Sequence, residues 1–102
     1  MKSICSGLLG LASLVSVHAW AAEPDQVYRS ACGLCHDSGV GGAPKLGDKE
    51  AWTLRLKQGR EALYKIAIEG KPGTAMIAKG GDSALSETDI RAAVDYMIVK
   101  SQ

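Results

Sequence analysis

What this sequence most lacks is an imbalance of charge. Its 102 residues carry 12 Lys+Arg against 11 Asp+Glu, so it has no basic excess of the kind a nucleic-acid binder spreads over one face. Cysteine is scarce as well. Three Cys close at most one disulfide, which excludes a disulfide-stapled scaffold. No internal repeat or low-complexity tract occurs, and the charged and glycine contents are ordinary, which excludes a disordered or collagen-like chain. No period-2 alternation runs long enough to build a sheet. The length allows one small domain.

What is present begins with an export pattern. Met1-Lys2-Ser3 is followed by an uncharged stretch from Ile4 to Ala22, with Leu8, Leu9, Leu11, Leu14, Val15 and Val17 as its apolar middle. Small residues at Ala19-Trp20-Ala21 complete a secretory signal peptide over residues 1–21, leaving 22–102 as the mature domain. Cleavage after Ala19 or Ala22 is the neighbouring option. The alternative is an uncleaved membrane anchor, because about 20 uncharged residues just span a bilayer, although Gly7, Gly10 and several serines dilute the run. Cys5 and His18 leave with the signal. Removing Lys2 balances the charges, and the mature chain keeps one histidine, His36, and two cysteines, Cys32 and Cys35. So small a domain has a marginal core and needs a disulfide, metal, partner or cofactor to hold it.

The mature chain reads as short helices separated by glycine-rich punctuation, an all-α pattern. Pro24 suits the first turn of a helix running through Asp25, Val27, Tyr28 and Ala31 to the cysteines. The stretch from Ser38 to Gly47, with five glycines and prolines, is a loop. Asp48 is a suitable N-cap for a helix over Lys49–Gln58. A further helix, Arg60–Glu69, carries Leu63, Ile66 and Ala67 on one face and stops at Gly70. A second loop runs from Lys71 to Gly81. Ser86-Glu87-Thr88-Asp89 opens the last helix in a capping-box arrangement, with Ile90, Val94, Met97 and Ile98 on one apolar stripe.

Chemistry concentrates in Cys32-Gly33-Leu34-Cys35-His36. This C-x-x-C-H is the attachment signature of c-type haem: two thiols add across two vinyl groups, and the histidine directly after them reaches the iron. Three other readings compete. A structural zinc site needs four ligands, and the mature chain offers two Cys and one His. A thioredoxin-like pair needs a βαβ context that is missing. A plain disulfide leaves His36 without a role.

One mature histidine rules out bis-His coordination within the chain. Methionine, lysine or a vacant position remains for the sixth ligand. Met97 lies on the apolar stripe, where methionine is commonly core filler. Met76 sits in the loop Gly73-Thr74-Ala75-Met76-Ile77-Ala78-Lys79-Gly80-Gly81, whose glycines let backbone approach a flat ligand. Met76 is the favoured ligand.

In these residues the mature chain resembles the class I cytochromes c, in particular the cytochrome c5-like bacterial monohaem carriers. The resemblance rests on Cys32 to His36, Gly42-Ala43-Pro44-Lys45, Gly47-Asp48, Trp52 with Arg55, the Met76 loop ending Lys79-Gly80-Gly81, and Leu85-Ser86 leading to Ala93-Val94-Asp95-Tyr96-Met97. It implies about four short helices around one covalently bound haem, with the first and last crossing and Tyr28 and Tyr96 at the crossing. It implies that the Pro44 carbonyl accepts a hydrogen bond from the His36 ring, and that Trp52 and Arg55 lie near a haem propionate, simple core packing being the other reading of Trp52. The chain departs from the family in having Ile77 where proline commonly follows the ligand methionine, and in lacking a C-terminal cysteine pair that some members carry.

The implied function is one-electron transfer by a periplasmic carrier with His36/Met76 axial ligation. Its expected partners are redox proteins, namely membrane cytochrome complexes, oxidases or periplasmic reductases, with no nucleic acid and at most a peripheral membrane contact. Lys45, Lys71 and Lys79 are candidates for steering an acidic partner. The alternatives are a haem-based ligand sensor or peroxidase-like enzyme with a labile sixth ligand, and a dedicated subunit of a larger redox complex.

Overall fold

The computed structural model describes residues 22–102, together with Gly7 and Gly10. The expected signal segment, those two glycines apart, lies outside the described residues. Among the described residues there is no strand. The helices are α1 (Pro24–Val27), α2 (Gly33–His36), α3 (Lys49–Leu56), α4 (Arg60–Glu69) and α5 (Glu87–Lys100), with short 3₁₀ turns at Val40–Gly42 and Ala78–Gly81. No described helix is long and apolar enough to cross a membrane.

α1 and α2 are the two ends of one helical run, joined by a π-helical turn over Tyr28–Cys32. There the Gly33 N–H donates to the Tyr28 carbonyl, five residues back. Such a turn inserts one residue into the helical repeat and rotates everything after it. Val27 and Tyr28, before it, are buried in the core. Cys32, Cys35 and His36, at and after it, line a cavity instead. Counted as one, this run makes four helices, the number the resemblance implies.

The caps follow the side chains expected for them. Pro24 occupies the first turn of α1. The Asp48 carboxylate accepts from the Ala51 N–H at 3.2 Å, and the Ser86 hydroxyl accepts from the Asp89 N–H at 3.0 Å, each satisfying an orphan donor of a first turn. α3 ends at Leu56, two residues short of the expected Gln58. The N–H groups of Lys57, Gln58 and Gly59 donate three residues back, to Leu54, Arg55 and Leu56, which tightens the last turn into 3₁₀ form.

α5 packs on both α1 and α4. Its stripe Ile90, Val94, Met97 and Ile98 is buried, and Ala93 with it. Leu63 and Ala67 of α4 meet it as expected, while Ile66 is half-buried and Tyr64 takes a core place instead. The Tyr64 hydroxyl donates to Asp95 of α5, and Arg60 bonds the same carboxylate at 2.6 Å. At the other contact the Tyr28 and Tyr96 rings lie 5.6 Å apart at 45°, a tilted geometry favoured by ring quadrupoles. The Tyr28 hydroxyl donates to Asp37; burial first, then that carboxylate, hold the phenol well above its usual range.

Candidate haem site

The loops between helices, rather than the helices alone, enclose a cavity of about 320 Å³. Cys32, Cys35 and His36 line it from the first helical run, Pro44 from the loop that follows, Trp52 from α3 and Met76 from the loop before α5. Each of these was singled out from sequence, and the fold brings them to one place. Most of the wall is apolar. Among the described residues no carboxylate lines it; its cationic side chains are Arg55 and Lys71.

His36 is 7% exposed, and its Nδ1 lies 2.7 Å from the Pro44 carbonyl oxygen. A carbonyl only accepts, so Nδ1 carries the proton and Nε2 keeps its lone pair. That is the tautomer a metal-binding imidazole needs, held by an outer partner. The loop holding Pro44 is itself fixed. The Leu46 N–H donates to the His36 backbone carbonyl at 2.8 Å, and the Trp52 indole N–H donates to the Lys45 carbonyl at 2.9 Å.

This last bond fixes how Trp52 faces the cavity. Its one donor is spent on the backbone, so it meets the cavity with its ring, 6.0 Å from the His36 ring between centroids. Arg55 lines the cavity with its Nη1 donating to the Ala51 carbonyl at 3.1 Å. With Lys71 it is one of two cationic side chains that the described residues place on this wall.

Met76 is half-buried and is tied at both ends of its own backbone. Its N–H donates to the Thr74 hydroxyl at 3.2 Å, its carbonyl accepts from the Lys71 N–H at 3.0 Å, and the Thr74 hydroxyl donates to the Lys71 carbonyl at 2.7 Å. These bonds do part of the stiffening that a proline after the methionine would supply. Met97 also lines the cavity and is 4% exposed; it projects from α5, as core filler does.

Further along, the loop rests on the first helix. A Cβ on Gly80 would stand 1.9 Å from the Ala31 carbonyl oxygen, so only glycine permits the approach, beside Cys32. Gly80→Ala is expected to cost at least the ~1–3 kcal/mol of an overpacked site and to loosen Met76. Thermal unfolding and hydrogen exchange at the Met76 amide check the two effects separately.

Of the three lysines, one, Lys71, lines the cavity. Lys79, at φ 54°, turns its ammonium onto the Leu85 carbonyl at 2.7 Å and is not among the side chains that line the cavity. Lys45 lays its stem against Gly39, 3.0–3.2 Å from where a Cβ there would sit.

Cys32 and Cys35 are free and half-buried. Burial pushes the Cys32 thiol up to about 11, the opposite of the lowered value a dithiol redox pair requires. Among the described residues no cluster of three or more His, Cys, Asp and Glu side chains is placed to hold a metal ion. The donor set is two thiols, one oriented imidazole and a thioether around an apolar space. It fits a flat, largely apolar group that carries its own iron.

The comparisons agree. A family model described as "Cytochrome C oxidase, cbb3-type, subunit III" matches residues 19–97. The chain is 40% identical, over 99% of its length and 98% of the relative's, to "Cytochrome c-555" of Chlorobaculum tepidum. The chain belongs to the class I monohaem c-type cytochromes. "Cytochrome c5" of Ectopseudomonas mendocina is 35% identical over 76% of this chain and 88% of that protein. Among solved structures, a chain from "Crystal structure of electron transfer complex of nitrite reductase with cytochrome c" is 47% identical, with a TM-score of 0.71 over 79% of this chain and 96% of that one. Like its relatives, this cytochrome carries a c-type haem and moves electrons; it is not an enzyme. Sequence reasoning did not mark Thr74 as the pin of the Met76 loop or the Ala31 carbonyl as the contact of Gly80, because nothing in their spacing signals either.

Proposed function

We propose that Cys32 and Cys35 hold the haem by thioethers, that His36 and Met76 are its axial ligands, and that the protein shuttles single electrons between protein partners outside the cytoplasm. The observation that carries this reading is the convergence of all four side chains on one cavity, with the His36 tautomer fixed by Pro44. The bound group supplies reversible one-electron chemistry at iron. The chain's part is to keep water and carboxylates off the cavity wall, to present Nε2 of His36, and to hold Met76 at the end of a hydrogen-bonded loop. Thioether ligation and an apolar surround both favour the less charged ferrous state. Optical spectra of the oxidised and reduced protein test the assignment: low-spin spectra in both states with a weak far-red ferric band are expected, and a high-spin ferric spectrum would overturn it.

An export signal over residues 1–21, with 22–102 as the working domain, is part of the same proposal, supported by the small residues before Ala22 and by thioether chemistry on an otherwise cysteine-free domain. The match over 98% of the length of cytochrome c-555 supports a free carrier over a dedicated subunit.

Partners would dock at the cavity mouth. Leu34 is 87% exposed there, and Val40 and Ile77 are more than half exposed. A partner of the reductase class, such as the nitrite reductase seen with the structural neighbour, fits that surface. With Lys71 as the lysine at the rim, the contact is apolar. Raising salt from 0.1 to 1 M, which shortens screening from ~10 to ~3 Å, is expected to change the transfer rate far less than the ~10–10³-fold of steered pairs. Leu34→Glu is expected to slow it in stopped-flow mixing with the partner.

A further inference from the structure

We propose that Ser101, at the far end of the chain from the haem motif, is a positioning residue for His36. The inference rests on His36 as an axial ligand and adds a control on its strength as a donor.

Ser101 is the first residue beyond α5 and is 3% exposed. Its hydroxyl donates to the Met97 carbonyl at 2.7 Å, one turn back in α5. The same oxygen accepts from the Gly47 N–H at 2.9 Å, across 54 residues of sequence. Gly47 stands three residues beyond Pro44, in the loop that holds the His36 ring. Two hydrogen bonds tie that loop to His36 itself, one from the ring to Pro44 and one from Leu46 to the backbone carbonyl. Two more tie it to helices on other sides: Trp52 of α3 on the Lys45 carbonyl, and Ser101 at the end of α5 on Gly47. The loop is therefore a bracket, and Ser101 is its fastening to the helix whose Met97 lines the same cavity.

Serine suits the position because a hydroxyl both donates and accepts. Alanine would free the Gly47 N–H and let the bracket turn, with Pro44 at its other arm. A weaker bond from Nδ1 to Pro44 makes His36 a poorer donor. A poorer donor stabilises ferric iron less, so the potential rises.

The test uses the holoprotein. In the wild type, hydrogen exchange at the Gly47 amide should be slow; exchange as fast as in exposed loop amides overturns the proposal whatever the variants do. In Ser101→Ala, equilibration with a redox mediator should shift toward the ferrous form, by less than the ~10-fold or more that outright loss of an outer partner typically costs a metal ligand. The nuclear resonance of the His36 Nδ1 proton should move with it. Ser101→Thr, which keeps the hydroxyl, should return both readouts toward the wild type. Ile98→Val, a packing change in the same helix away from the cavity wall, should lower the melting temperature and leave both readouts in place. A folded Ser101→Ala with unchanged resonance and potential overturns the proposal, as does Ile98→Val moving them equally. If His36 is not an iron ligand, its ring proton in the wild-type ferric protein will lack the large paramagnetic displacement of ligand protons, and the underlying reading fails first.

Discussion

Met76→Leu is expected to abolish the weak far-red band of the ferric protein, to lower the reduction potential, and to open the iron to carbon monoxide. The substitution removes a sulfur donor that no neighbour is placed to replace: the Lys79 ammonium is bound to the Leu85 carbonyl, and His36 is the one histidine among the described residues. Axial ligand identity spans about 0.8 V across haem proteins, so the fall should be well outside measurement error. Met97→Leu is the matched control. Met97 also lines the cavity, but it projects from α5 among Ile90, Val94 and Ile98, and a volume-conserving change there costs under about 1.5 kcal/mol with the band retained. The reverse outcome, a band that survives Met76→Leu and disappears in Met97→Leu, would move the ligand to α5.

The Cys32→Ala, Cys35→Ala double variant is expected to yield little stable folded protein. Denaturing electrophoresis should retain haem on the wild-type chain and none on the variant. The energetic reason is the size of the cavity. Treated as a void, about 320 Å³ at roughly 24 cal/mol per Å³ corresponds to about 8 kcal/mol, within the ~5–15 kcal/mol that a whole domain has in hand. The mouth is open to solvent, so a fraction of that applies; a fraction is enough in a domain with so few buried side chains. A well-folded, haem-free double variant with a cooperative melt would show that the helices hold without an occupant.

The helices were legible because their signals are local: Asp48 and Ser86 as caps, Gly70 as a stop, and the Ile90–Ile98 stripe with its helical period. Cys32 to His36 was legible because attachment chemistry demands that spacing. Met76 could be singled out once the count of histidines reached one. The loops hid the rest. The π-helical turn at Tyr28–Cys32 depends on how α1 and α2 must each face a different neighbour, which no propensity records. The Trp52 indole N–H answers the Lys45 carbonyl, a partner only the folded loop creates. Lys45, Lys71 and Lys79 were singled out because their loops were expected to border the haem, while the direction of Lys79 is set by a backbone acceptor, Leu85. Ser101 carries no motif at all, and its bond to Gly47 closes across 54 residues.

The pairing of α1 with α5 joins the two ends of the described chain, and this imposes a schedule on maturation. Synthesis runs from the N-terminus, so Cys32 and Cys35 exist well before the helix that will cover their segment. During that interval the Cys32 thiol, half-buried in the folded chain, stands in solvent with its segment uncovered. Variants that weaken the contact between the first and last helices should hold that interval open longer and accept haem later than the wild type does.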